Sequence, residues 1–315
     1  MTVLGFKTGP DGSVYINDWV DLQHCHHPNV DQWQRQNGRL YRVVHEAHYK
    51  PHLVDLNRKS DRELAWLHLH QNEWYVRMAR RLLTERAAAN GSIASEALVV
   101  LRNLSVEHAS VNRRLRALWT LHGVGGVEDS HWSGYFKDHS AEVRAWAVEL
   151  AQYALEPTPA LAGRLVQLAL SESSAMVLVR LAAITSLLPE EEQWSILKSL
   201  VQKVAHQEDG VFRSMTWFAL ARAMQENPQR AFGWLADETS LIPLFEDWIP
   251  WYGSRLQGQG LDLALERVVE AAPEEQSRLL QLIGMALRQE AKVPMPRAWL
   301  TRSASWLQHV DPLAR

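Results

Sequence analysis

Five short segments of this chain repeat one pattern, an arginine set among apolar residues at helical spacing. They are Tyr75-Val-Arg77-Met-Ala79, Asn112-Arg-Arg114-Leu-Arg-Ala117, Glu142-Val-Arg144-Ala-Trp-Ala147, Leu178-Val-Arg180-Leu-Ala-Ala183 and Val211-Phe-Arg213. The arginines stand 37, 30, 36 and 33 residues apart. A period in that range, carried by paired amphipathic helices, predicts a right-handed α-solenoid, because each pair leaves an apolar face that only the next pair can cover. In the third segment Val143, Ala147, Leu150 and Ala151 share one side of a helix while Glu142 and Glu149 stay wet, and Ser140 offers an N-cap. The arginines read as braces between neighbouring repeats.

Helix pairs are expected at about 61–69 with 73–88, 93–105 with 110–122, 129–137 with 141–154, and 159–171 with 175–187. Further pairs fall at 190–206 with 210–226, 229–236 with 240–249, and 260–272 with 274–290. Gly123-Val-Gly-Gly126, Pro157, Pro159, Pro189, Gly210 and Asn227-Pro228 lie between helices, where chain-breaking residues belong. Ser60-Asp-Arg-Glu63 has the form of a capping box. The fold class is therefore mainly α, a solenoid of HEAT/ARM-like helix pairs over residues 60–290. A linker at 46–59 precedes it, and a tail at 291–315 with one short helix follows.

Residues 1–45 read differently. Gly9-Pro-Asp-Gly12 is a turn, Ser13–Trp19 alternates like a strand, and Arg39–Val44 is a second short strand after Asn37-Gly38. Two or three strands cannot bury both faces of a sheet, and a hairpin of that size is marginal alone in water.

Composition narrows the function classes. The formal net charge of −3 offers no concentrated basic face for phosphates, so no nucleic-acid partner is expected. A single cysteine, Cys25, excludes an internal disulfide framework and any multi-cysteine metal cluster within the chain. No apolar run is long enough to span a bilayer, so no transmembrane segment is expected. Met1–Phe6 lacks the basic and apolar regions of a signal peptide, which predicts a cytoplasmic protein if the chain is complete.

Chemistry-bearing clusters are few. His24-Cys25-His26-His27 is the one group with metal-ligand potential, and the spacing favours His24 and His26 as the pair; an ordinary polar loop is the competing reading. His68, His70 and Asn72 occupy an interhelical turn, where capping roles are expected. Gly123–Gly126 is no phosphate loop, since no strand precedes it and no Gly-Lys-Ser/Thr follows. No Ser/His/Asp or paired-carboxylate arrangement is evident, so no catalytic residue is assigned. Of the 14 tryptophans, Trp66, Trp74, Trp119, Trp146, Trp194, Trp217 and Trp234 fall within helices and are expected to fill the core between repeats. Trp248, Trp251 and Tyr252, near the end of a helix, form a candidate partner-binding aromatic platform.

Gly9-Pro-Asp-Gly-Ser-Val-Tyr-Ile-Asn-Asp-Trp19, His27-Pro-Asn29 and Arg35-Gln-Asn-Gly-Arg-Leu-Tyr-Arg42 together resemble the last β-propeller blade of planctomycete-type membrane-bound dehydrogenases. The junction Leu53-Val-Asp-Leu-Asn57 and the helices to about residue 155 continue the likeness; beyond that it is a generic HEAT likeness. The resemblance implies a large exported protein with a sorbosone-dehydrogenase-like propeller, HEAT repeats and a cytochrome c domain, using a quinone cofactor and haem c. Most of the propeller is absent here, and the one cysteine cannot form the Cys-x-x-Cys-His attachment of haem c. No cofactor is therefore expected in this chain. The expected function is a non-catalytic scaffold that binds a protein partner or the parent protein's own propeller. The alternative is the C-terminal half of a quinoprotein-like sugar or alcohol dehydrogenase, which would be periplasmic or otherwise exported.

Overall fold

The computed structural model describes residues 2–19, 38–47, 49, 53–154, 159–235, 243–256, 258–288, 290, 292–301 and 303. The chain divides into two compact units, Met1–His131 and Trp132–Arg315. The division falls inside the stretch 60–290 that the sequence pattern reads as one array. The fold class is as expected, mainly α with helices packed in neighbouring pairs behind a small sheet.

In the first unit, strands β1 (Thr2–Thr8), β2 (Val14–Trp19) and β3 (Leu40–Val43) form an antiparallel sheet in the order β1-β2-β3. The sequence pattern does not mark β1, because Gly5 interrupts its alternation at a register shift between Val3 and Gly5. The turn from β1 to β2 closes with Gly12 N–H on the Gly9 carbonyl at 3.1 Å, and Gly12 has a φ of 78°, which favours glycine. Asp11 accepts from the Ser13 amide and hydroxyl and pairs with Arg42 of β3, so the turn is tied to the far edge of the sheet.

Helices α1 (Asp61–Trp66), α2 (Glu73–Asn90), α3 (Ser95–Glu107) and α4 (Val111–Gly123) complete this unit. The capping box at Ser60 and Glu63 forms, with the Ser60 amide on Glu63 at 2.8 Å and the Glu63 amide on Ser60 Oγ at 3.3 Å. Leu64, Leu83, Leu101 and Leu121, one from each helix, meet in a core from which water is excluded. Each fully buried leucine contributes roughly 2 kcal/mol by transfer from water. Gly91, at φ 81°, ends α2 in the left-handed conformation.

The second unit opens with the single turn α5 (Trp132–Tyr135), then α6 (Ala141–Ala151), α7 (Pro159–Ser171), α8 (Ala175–Ile184), α9 (Glu190–Val204) and α10 (Gly210–Glu226). It continues with α11 (Pro228–Trp234), α12 (Pro243–Arg255), α13 (Gly258–Glu270) and α14 (Pro273–Leu287). First helices pack on first helices, α7 on α9, and second helices on second helices, α6 on α8 and α8 on α10. Val143, Ala147, Leu150 and Ala151 are all buried, as the pattern of α6 predicts. The helix expected to stop near residue 249 instead runs through Pro250 to Arg255. Proline costs it one backbone hydrogen bond, and Ser254 Oγ donates to the Pro250 carbonyl at 2.7 Å one turn later.

Candidate functional site

Four second helices, α2, α4, α6 and α8, begin in a common way that positions their surface residues. A side chain two residues before the N-cap accepts the N-cap amide: His70 for Asn72, His108 for Ser110, Asp138 for Ser140 and Glu172 for Ser174, at 2.8–2.9 Å. Four residues past the cap, Arg114 and Arg144 then make the same turn back. Arg114 Nη1 donates to the carbonyls of His108 and Ala109 at 2.8 and 3.3 Å, and Arg144 Nη1 to those of Asp138 and His139 at 2.8 and 3.3 Å. A guanidinium suits this position because it carries donors for two carbonyls and has others left over.

Arg144 and Arg180 brace neighbouring pairs. Arg144 also grips Glu172, which is 5% exposed, and Arg180 Nη1 donates to Glu149 of the preceding second helix at 2.9 Å. Although burial pushes the Glu172 carboxyl up, Arg144 and the amides of Ser174 and Ser173 hold it below its ordinary value. Arg77 is exposed and Arg213 half-buried.

The Arg180–Glu149 contact fixes how α6 and α8 lie side by side, six residues past one cap against nine past the other. In that register, corresponding positions of α6, α8 and α10 and of the turns that end them present large apolar side chains to solvent. Met176 and Val211 stand two residues past their caps, Trp146 six, Phe218 nine, and Tyr153 and Leu187 thirteen. Their exposures run from 37% at Trp146 to 63% at Phe218, 64% at Val211 and 70% at Tyr153. Between them lie the Arg180–Glu149 pair and Arg222, so the surface is apolar with charges interspersed.

Sequence reasoning missed this surface. It assigned Trp146 and Trp66 to the core, and both are exposed; Trp194 and Trp217 are buried as expected. The expected platform of Trp248, Trp251 and Tyr252 lies within α12 with all three half-buried. Trp248 stands edge-on to Trp217 at 4.9 Å, Tyr252 edge-on to the same ring at 5.9 Å, and Phe245 packs against both tryptophans. Tyr252 accepts from Gln225 of α10 at 2.8 Å, which carries the exposed surface on toward α12. Trp251 faces the Arg255 guanidinium at 5.5 Å.

His24 and His26 lie outside the described residues, and among the described residues no three His, Cys, Asp or Glu side chains converge as metal ligands. His70 and Asn72 have the turn and cap roles expected of them, with Asn72 also donating to the Gly9 carbonyl at 2.8 Å. His68 is entirely buried. Its Nδ1 lies 2.9 Å from the Ala65 carbonyl, which can only accept, so Nδ1 carries the proton and Nε2 accepts the Thr120 hydroxyl at 2.6 Å. Burial, reinforced by the charges of Arg80 and Arg116, lowers its pKa to about 4 and keeps the ring neutral.

On the sheet of the first unit, the register puts Phe6, Val14, Ile16, Tyr41 and Val43 on one face. All but the half-buried Ile16 are exposed. No helix among the described residues is long and apolar enough to cross a membrane. Comparison with known proteins finds no matching family model, no matching curated protein and no matching solved structure.

Proposed function

We propose that this chain is a non-catalytic scaffold of HEAT-like repeats that docks a protein partner on the second-helix surface of α6, α8 and α10. The observation that carries the reading is the alignment of Trp146, Tyr153, Met176, Leu187, Val211 and Phe218 on one side of adjacent helices. Large exposed apolar side chains gathered on one surface mark interaction sites more often than scattered ones do. Interspersed charge at Arg180, Glu149 and Arg222 is the usual composition of a non-obligate interface. Successive second helices offer such a surface because each contributes the same positions. Hydrogen exchange on the chain with and without its native partner tests the reading. Protection should concentrate on exposed amides of α6, α8 and α10 and the turns that follow them; protection confined elsewhere contradicts it.

A second reading is favoured by the bare apolar face of Phe6, Val14, Tyr41 and Val43. Three strands with one uncovered apolar face call for a second β-layer, packed about 10 Å away. On this reading the chain works with the propeller of a membrane-bound, quinoprotein-like sugar or alcohol dehydrogenase, which would hold the quinone while haem c sits in another domain. The single cysteine does not fit haem c attachment in this chain. Sequencing the DNA upstream of the Met1 codon tests it: an in-frame run of further β-blades supports the reading, and a stop codon there removes it.

A further inference from the structure

The shortest step between the repeated arginines, the 30 residues from Arg114 to Arg144, has a structural consequence in the second unit. The first helix before α6 is the four-residue α5, whereas the next first helix, α7, has 13 residues. At 1.5 Å per residue α7 is about 20 Å long and α5 about 6 Å. Within this unit α5 is therefore too short to cover the flank of α7 that faces it. A groove of about 350 Å³ results, with Phe136 and Leu168 as its apolar floor and the α7 residues Gly163, Arg164 and Gln167 along one wall.

Two details of the groove bear on a ligand. Gly163 sits inside α7, where glycine costs a helix roughly 1 kcal/mol relative to alanine, yet a Cβ there would meet none of the described residues within 4 Å. Packing against the described protein atoms therefore does not account for the glycine, while its missing side chain widens the groove. Lys137 at one wall and Arg164 at the other place two positive charges at the rim, and none of the described residues that line the groove is acidic. A volume near 350 Å³ is at the small-molecule end of binding sites, too little for the full cross-section of a partner helix about 10 Å wide.

We infer that this groove binds a medium-chain aliphatic carboxylate, its chain on Phe136 and Leu168 and against the bare backbone of Gly163, its carboxylate between Lys137 and Arg164. The site is separate from the partner-docking surface, so each proposal stands or fails without the other. The test is calorimetric titration of the full chain with decanoate, below its micellar range, and with decanol as the uncharged control. Decanoate should bind saturably and decanol about tenfold more weakly, as expected when two partly solvated charge interactions are lost. Lys137→Glu should weaken decanoate about fivefold and leave decanol unchanged. Gly163→Leu, which fills the groove from a position with open space, should abolish binding of both while the thermal transition stays in place. If Gly163→Leu shifts that transition, Gly163→Ser serves as the milder variant and should weaken both ligands. Absence of saturable decanoate binding overturns the proposal. So does equal affinity for decanol, or binding indifferent to Lys137→Glu and to the glycine variants.

Discussion

Arg144 holds Glu172 with one edge of its guanidinium, Nε to Oε2 at 2.7 Å and Nη2 to Oε1 at 2.9 Å, while its Nη1 holds the Asp138 and His139 carbonyls. One side chain thus fixes the start of its own helix and the start of the next second helix, since Glu172 in turn accepts the amides of Ser173 and Ser174. Removing one partner leaves a buried charge without its counter-charge. Arg144→Ala should therefore lower stability by about 3 kcal/mol, measured by urea unfolding. Glu172→Gln, which keeps the shape and the one oxygen that accepts both serine amides, should cost less. A loss under about 1 kcal/mol for Arg144→Ala would mean that the pair is solvated in solution.

His68 sets an acid limit on the first unit. Its pKa is about 4 in the fold against 6.5 for the free side chain, so the unfolded chain binds more protons between those values. Stability is complete above pH 6.5, falls as pH drops through that window, and loses nothing further from this group below pH 4. Between pH 7 and pH 5 the loss should be about 2 kcal/mol. His68→Leu, which cannot titrate, should be less stable at pH 7 but lose less on acidification over the same range. Equal pH slopes for the two proteins would contradict the assignment. Glu172 has the opposite protonation chemistry and acts lower: its carboxyl is held below 4.5, so its contribution persists above that value and is lost as pH falls further.

The shared helix-start geometry makes a paired prediction. Asp138→Ala and His108→Ala each remove the acceptor of an N-cap amide, and each should cost about 1 kcal/mol. The equivalence is the point: Arg114 and Arg144 make matching contacts to the two starts, so the losses should agree within about 0.5 kcal/mol. Thermal unfolding of the two variants compares them directly.

The aromatic cluster separates the packing of Trp217 from the exposed hydrogen bond between Gln225 and Tyr252. Trp217 is buried and touches Phe245, Trp248 and Tyr252, so Trp217→Ala should cost about 3 kcal/mol or more. Tyr252→Phe loses only an exposed hydrogen bond to Gln225 and should cost less than about 0.5 kcal/mol. A double-mutant cycle on Trp217 and Trp248 should return a coupling of about 1 kcal/mol.

Much of this fold was legible because helical burial repeats along the sequence. Val143, Ala147 and Leu150 define a face without reference to any partner, and Ser60 with Glu63 marks a helix start by local hydrogen bonds alone. The exposed surface was not legible for the opposite reason. Trp217 and Phe218 are adjacent and equally apolar, about 100° apart on the helix, and only the placement of α8 and α12 decides that Trp217 is buried and Phe218 exposed. Trp146 is a similar case: α6 is apolar on more than one side, and tertiary packing covers Val143 and Ala147 but not the indole. Pro250 misled the reading of α12 because a proline ends most helices, and here tertiary packing at Phe245, Ile249 and Gly253 carries the helix through it. The cluster at His24 and His26 has no structural counterpart among the described residues.

The docking surface is tested most directly by affinity capture with the full chain, in parallel with a Tyr153→Glu/Phe218→Glu variant. Both positions are well exposed, so the thermal transition should be unchanged. The account predicts that a partner recovered in fixed stoichiometry with the wild-type chain falls at least about tenfold with the variant, the scale of losing interface anchors, and that a Lys198→Glu control on α9 leaves recovery intact. Equal recovery of that partner by the wild-type and doubly charged chains would contradict a docking role for this surface.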